Sequence, residues 1–431
     1  MLGFGIVIIL LILMIIFKKV TKYWISPSFI MITYWSLFII FAILVFGNDY
    51  DWNYIGLLWI IFACVFFGVG YVFGTSLSNK KITFNNVQVT IKNNKKDLSE
   101  SSWKFILICI IIGLLRVVTV VVSNGFSFGM FFDIDSLINM NTSIAHQRYY
   151  GEGSQGNIIT QVMLVFVYAA PLCGGYAFVY AKEKSKKLLS IATFLPIIGI
   201  TISTNGKAGL IASVFLWLSG FFVSYIEKYK SAPRIRLKLI IKISLFGVLF
   251  FGLLYLSMFL RIGAFNTEIQ EIVNNKFKVY ALGHIPAFDH WFYEFDKGSD
   301  FSLGGYTFLA IYDMLGLATR EQGVFKEMIY FDNGLFTNVF TAFRGVINDF
   351  GIIGALIFIM LFGFVAGYCF NILLSNKKQK IIATTFLTMT YFFILHSFTV
   401  SPWSYLSYIF SFLIFIFYLW LTKKRITFTY K

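Results

Sequence analysis

Charge is scarce in this chain: 13% of its 431 residues are Asp, Glu, Lys or Arg, and only 20 are acidic. Cysteine is scarcer, and Cys64, Cys109, Cys173 and Cys369 all fall inside apolar stretches with no CxxC among them. That excludes a disulfide framework and a thiolate zinc cluster, and leaves each thiol as a small apolar residue. Histidine occurs four times; His284 and His290 are six apart, so one helix face does not present both as it would an i, i+4 zinc pair. The first residues, Met1 to Gly5, have no side-chain charge, and the basic start and small-residue cleavage site of a signal peptide are missing.

Apolar runs are what the chain has in abundance. Candidate spans cover residues 2–17, 28–46, 53–74, 103–123, 157–181, 188–202, 208–226, 239–260, 347–373, 381–399 and 403–421. Most match the roughly 20 residues needed to cross about 30 Å of hydrocarbon, and a soluble core cannot absorb so many. The expected fold is therefore all-α, a polytopic integral membrane protein with about eleven transmembrane helices forming a single domain over 1–431.

Basic residues mark one side. If the spans alternate, the gaps holding Lys18, Lys19 and Lys22, then 80–104, 182–187, 228–242, 377–380 and 423–431, all share it, with 26 of the 36 basic residues. Only Asp97, Glu100, Glu183 and Glu227 are acidic there, so that side reads as cytoplasmic. The amino terminus then faces out and the carboxyl terminus in. The net charge of +16 is a topology signal, because no soluble domain presents these residues to a nucleic acid.

Two long segments face outward on this reading, a smaller extracytoplasmic loop at 124–156 and a large one at 261–346. Bilayer assembly requires neither, so the chemistry is expected there. HIPAFDHWFYEFD, starting at His284, interleaves aromatics with acids as sugar-binding clefts do, although an interfacial aromatic belt has the same composition. Residues 303–318, LGGYTFLAIYDMLGLA, read as an amphipathic or re-entrant helix on the outer surface.

Four cations stand in or at the edge of spans: Arg116 within the fourth, Lys207 opening the seventh, Arg261 closing the eighth and Arg344 opening the ninth. A charge in lipid costs at least about 2.5 kcal/mol, so such residues mark a cavity or ligand path unless they snorkel to headgroups. Four near one leaflet suit an anionic ligand such as pyrophosphate, with Arg offering a planar fork and Lys a point charge.

STNGKAGL ahead of a helix, LRIGAF, LGHIPAFDHWF, GGYTFLAIYDMLG and TNVFTAFRGVINDFGIIGALI together resemble the oligosaccharide repeat unit polymerases, the O-antigen polymerase (Wzy) family. The resemblance covers the layout of the whole chain and, in motif, roughly residues 200–370. Relatives often have Arg where this chain has Lys207, which keeps the charge and loses the bidentate geometry.

The resemblance implies a membrane glycosyltransferase at the outer leaflet of the bacterial cytoplasmic (inner) membrane, in lipopolysaccharide or related surface polysaccharide biosynthesis. It would move a growing polysaccharide from its undecaprenyl pyrophosphate carrier onto a new lipid-linked repeat unit. Arg116, Lys207, Arg261 and Arg344 would bind the leaving pyrophosphate. Asp289, His284 or His290 would serve as base. Trp291, Tyr293, Glu294 and Arg320 would contact glycan. No cofactor or metal is required, and the chain has no Gly-rich phosphate loop, since no nucleotide sugar is involved. Asp49 to Asp51 (DYD) resembles the acidic first-loop motif of other lipid-sugar-dependent transferases, and is also ordinary turn composition. Partners would be the bilayer, the lipid-linked oligosaccharide, and the pathway's flippase and chain-length regulator. The alternatives are a lipid-linked oligosaccharide flippase, which handles the same lipid, and an O-antigen ligase, which differs in acceptor.

Overall fold

The computed structural model describes residues 2–47, 50–77, 98–127, 157–204, 206–230, 254–259, 266–295, 301–319, 325–331, 336–375 and 380–423, with scattered positions at 129–144 and 241–252. Within these, helices α1 (Leu2–Thr21), α2 (Pro27–Phe46), α3 (Ile55–Leu77), α4 (Glu100–Ser123) and α5 (Ile158–Tyr180) follow the expected spans. The sixth expected span is two helices, α6 (Lys184–Ala192) and α7 (Leu195–Thr204), because Pro196 has no N–H for a continuous ladder. Then come α8 (Lys207–Tyr229), α9 (Thr267–Leu282), α10 (His284–Glu294) and α11 (Leu309–Met314). A two-stranded antiparallel ladder pairs β1 (Ile329–Tyr330) with β2 (Phe336–Thr337). Last are α12 (Ala342–Leu374), α13 (Lys380–His396) and α14 (Leu406–Lys423).

Among the described residues, eight helical stretches, with α6 and α7 taken together, are long and apolar enough to cross a membrane; α13 and α14 are apolar and shorter. This is the architecture of a multi-pass membrane protein. The expected span at 239–260 lies largely outside the described residues. One expectation is corrected: residues 303–318 do not form one surface helix. Leu303 and Gly304 take left-handed φ values of 49° and 109°, which an α-helix does not accommodate, and only Leu309–Met314 is helical.

Lipid tails are as apolar as the side chains, so close packing has to hold such a bundle together. The tightest seam joins α3 to α12. Gly70 and Gly74 lie four apart on α3, as do Gly363 and Gly367 on α12. A Cβ on Gly70 would sit 1.9 Å from the Met360 carbonyl oxygen, one on Gly74 2.0 Å from that of Phe364, and those on Gly363 and Gly367 2.1 Å from those of Phe67 and Tyr71. Each backbone thus fills the groove that the other's missing side chains leave.

Around this seam α1, α2, α3, α10 and α12 share one core, including Trp35, Leu57, Ile60, Phe67, Phe288 and Phe343. Helices α4, α5, α8, α13 and α14 share a second, including Ile106, Leu172, Leu216, Phe392 and Phe415. A third, with Tyr71, Val223, Phe370 and Tyr391, ties α3, α8, α12 and α13. All four cysteines are buried and free.

Helix α12 is broken at Gly351, whose φ of 73° and ψ of 175° are not helical. The residues from Ala342 to this break therefore form a separate short helix at the end of the bundle where α3 also begins. Helix α10 lies across this end, and we refer to it below as the capped end.

Candidate functional site

Helix α10 closes the capped end by turning His284, Ile285 and Phe288 into the bundle, where Phe288 meets Trp59 and Phe343. The next residue on that side is Asp289, fully buried. Its Oδ2 accepts from the backbone N–H of Asn53 (2.9 Å) and Tyr54 (3.1 Å), and its Oδ1 from that of Gly56 (3.0 Å). These donors belong to the turn and first residues of α3, where N–H groups have no intrahelical partner and the helix dipole favours a negative charge. Burial pushes the Asp289 carboxyl up from its ordinary value, against the pull of those backbone donors. Both oxygens are committed to capping α3, which leaves neither aimed at a substrate hydroxyl. Asp289→Asn is accordingly expected to cost about 1–3 kcal/mol of stability, read as a lower thermal midpoint in detergent. A variant of normal stability but no activity would return Asp289 to the base role.

Asp349 does the same work on the other side. Its carboxylate accepts from the Ser302 hydroxyl and from the N–H groups of Tyr306 (2.9 Å) and Thr307 (2.7 Å). It thereby holds the 302–307 turns against the start of α12.

His284 is 1% exposed, with Trp35, Phe38 and Phe398 edge-on around its ring. Neither ring nitrogen has a hydrogen-bond partner among the described residues. Burial pushes its pKa down to about 3, so the imidazole is neutral in the fold. Since the folded pKa lies below the ordinary 6.5, the unfolded chain takes up a proton that the folded chain refuses. Stability is then complete above about 6.5 and declines as pH falls toward 3. The thermal midpoint is expected to drop between pH 7.5 and pH 5, and to drop less in His284→Phe; the same drop in both proteins would contradict this burial.

Arg344, in the first turn of α12, is 4% exposed. Its guanidinium carbon lies 4.0 Å from the Phe325 ring, 4.0 Å from Phe340 and 5.0 Å from Trp291. Nη2 donates to the Glu327 carboxylate. Nε and Nη1 have no partner among the described residues, nor do the buried hydroxyls of Thr307 and Thr341. A cavity of about 10 Å³ lies between Tyr306, Phe325, Thr341, Gly345, Ser401 and Ser404, and Phe325 is common to its lining and to the rings around Arg344. A buried cation with unused donors is costly unless something occupies them. Enclosed by rings, with buried N–H groups that no described residue accepts, Arg344 is a candidate receptor for a planar or tetrahedral oxyanion.

The other expected residues are placed differently. Trp291 is part of the Arg344 cage, while Tyr293 is exposed on the far face of α10. His290 Nε2 lies 3.4 Å from Glu294 Oε1, one turn on, with both side chains partly open to solvent. Beside them, Tyr50 is influenced by Asp289 and Glu294, and burial pushes its hydroxyl pKa up. The Tyr50 hydroxyl and the Trp52 indole N–H are buried without partners among the described residues. Arg116 donates to Thr119 one turn along α4 (3.2 Å), in the half of the bundle built on the second core. Lys207 is the first residue of α8. Arg261, Arg320, Asp49 and His146 lie outside the described residues.

Sequence reading does not single out Phe325, Glu327 and Phe340, because they sit in irregular chain with no periodicity and reach Arg344 only through the fold. Against known proteins, no family model, no curated protein and no solved structure matches this chain.

Proposed function

We propose that this protein polymerises undecaprenyl pyrophosphate-linked oligosaccharide repeat units at the outer leaflet of a bacterial cytoplasmic membrane, with Arg344 binding the pyrophosphate of the donor. The observation that carries the reading is a guanidinium 4% exposed, enclosed by three rings and only partly bonded among the described residues. The motif resemblance supplies the reaction class. In this reading eleven spans put the amino terminus outside, the carboxyl terminus inside and the capped end at the outer surface, as the distribution of Lys and Arg favours.

In the transfer, the glycosidic bond to the donor's pyrophosphate breaks as the acceptor's sugar hydroxyl attacks, and negative charge builds on the leaving group. Arg344 meets that charge with preorganised donors. The attacking hydroxyl loses its proton to a base, and His290 is favoured over Asp289 and His284 because its ring reaches solvent and has Glu294 beside it. Exposed Tyr293 and Glu294, with Tyr50 and Trp52 close to the same surface, offer stacking faces and hydrogen-bond groups for glycan. Arg116 and Lys207 remain candidates for a second phosphate contact.

The test is reconstitution of the purified protein in liposomes with lipid-linked repeat units as the sole substrate. Glycans of two or more repeats and released undecaprenyl pyrophosphate are expected; transport of the lipid across the bilayer without elongation would make it a flippase. Orientation has its own test. Because the native cysteines are buried, Tyr293→Cys is expected to react with a membrane-impermeant maleimide in outer-permeabilised cells, and labelling only after lysis would invert the topology.

A further inference from the structure

Asp289, Asp349 and Glu327, three of the carboxylates at the capped end, are held in different ways. Asp289 and Asp349 are fully buried, each accepting from backbone N–H groups. Glu327 is tied to Arg344, and its side chain is 67% exposed. A carboxylate pinned by backbone donors cannot leave without unravelling the backbone it holds. One that is mostly in water and bound to a single side-chain cation can rotate into solvent as soon as another anion takes over that buried cation.

Where Glu327 sits also matters. Phe325 and Phe340 at 4.0 Å and Trp291 at 5.0 Å crowd the guanidinium, and an oxyanion pairs with it through its N–H groups. Glu327 takes Nη2, and Nε and Nη1 have no partner among the described residues. Each fork of a guanidinium, Nε with Nη2 or Nη1 with Nη2, includes Nη2, so a phosphate bound in either fork crowds its charge against the carboxylate that sits on that nitrogen.

We infer that Glu327 is a displaceable internal counter-ion, occupying the phosphate position of Arg344 in the substrate-free protein and giving it up to the pyrophosphate of a lipid-linked substrate. This rests on the reading of Arg344 as the pyrophosphate site. A carboxylate brings one negative charge and two oxygens. A pyrophosphate diester brings two charges and more acceptor oxygens, so it outcompetes Glu327, whereas carboxylates and other singly charged anions at the membrane surface do not. The pair therefore selects for multiply charged ligands: Arg344 supplies attraction, and Glu327 sets the strength an anion needs to enter. Because the Glu327 side chain is mostly in water, the exchange requires only its rotation.

The experiment is calorimetric titration of the full-length protein in lipid nanodiscs with farnesyl pyrophosphate, and separately with inorganic pyrophosphate and with acetate. Glu327→Gln keeps the shape and removes the charge. It is expected to bind farnesyl pyrophosphate roughly tenfold more tightly than the wild type, about 1.4 kcal/mol, and to acquire measurable acetate binding. Arg344→Gln is expected to abolish binding, with Arg344→Lys in its place if the Gln variant does not fold. Unchanged or weaker binding by Glu327→Gln, with Arg344 still required, overturns the counter-ion and leaves the pyrophosphate site standing. Undiminished binding without the Arg344 guanidinium overturns the site itself, and the counter-ion with it. Equal gains for inorganic and farnesyl pyrophosphate would place recognition in the phosphates; a gain confined to the farnesyl compound would add a lipid contact.

Discussion

Replacing Arg344 with alanine is expected to abolish glycan polymerisation while leaving the amount of protein in the membrane unchanged. The loss comes from removing the donors that face the leaving pyrophosphate, and one preorganised donor of this kind is worth roughly 10²- to 10³-fold in rate. Stability is affected far less. The partner left behind, Glu327, is 67% exposed and passes into water, so no uncompensated buried charge results. Truncation does empty the space between Phe325, Phe340 and Trp291, at a cost of about 1–2 kcal/mol from the lost cation–ring contacts. Arg344→Lys separates charge from geometry: it keeps the cation, loses the fork and is expected to retain a small fraction of activity. Glycan chains of normal length from Arg344→Ala, at normal protein level, would remove the pyrophosphate clamp from the account.

The second large effect is structural. Gly70→Leu is expected to eliminate folded protein from the membrane, and Gly70→Ala to lower its thermal midpoint clearly. The Cβ that alanine introduces would sit 1.9 Å from the Met360 carbonyl oxygen, a backbone atom that no side-chain rotation moves aside. The α3–α12 seam therefore has to open, and overpacking of this kind costs about 1–3 kcal/mol for one methyl group and more for an isobutyl. Because Gly74, Gly363 and Gly367 line the same seam, alanine at Gly70 and Gly363 together is expected to cost less than the sum of the two: once the backbones part for the first, the second finds room. Gly5, where an added Cβ would meet no heavy atom within 4 Å, is the control position. A Gly70→Leu protein with an unchanged midpoint would show that the seam is not what holds α3 to α12.

The helices were legible in the sequence because crossing a bilayer imposes a length and a composition that a local window detects. Such a window registers neither breaks nor partners. The split at Pro196 and the left-handed Gly351 inside α12 fall within runs apolar enough to pass as single spans. The glycines of α3 and α12 stand in the sequence at helical spacing, yet nothing local says that Gly70 meets the distant Met360. Asp289 shows the same limit. An acid amid aromatics suggested chemistry, and the structure gives it to backbone donors at 53–56, which precede it by 233 to 236 residues. Arg344 could be singled out, because a cation at the edge of a span is costly wherever it sits. Its counter-ion could not, since an exposed Glu in irregular chain has no pattern until the fold sets it against the guanidinium.

The measurement that bears most directly on the account is deletion of the gene in its host, with the surface glycan resolved by size on a gel. A polymerase predicts collapse of a long ladder to core bearing a single repeat unit, because flipping and ligation continue without it. Loss of all surface glycan would contradict the account. Polymer accumulating on its lipid carrier would then identify a ligase, and single lipid-linked units trapped on the inner face would identify a flippase.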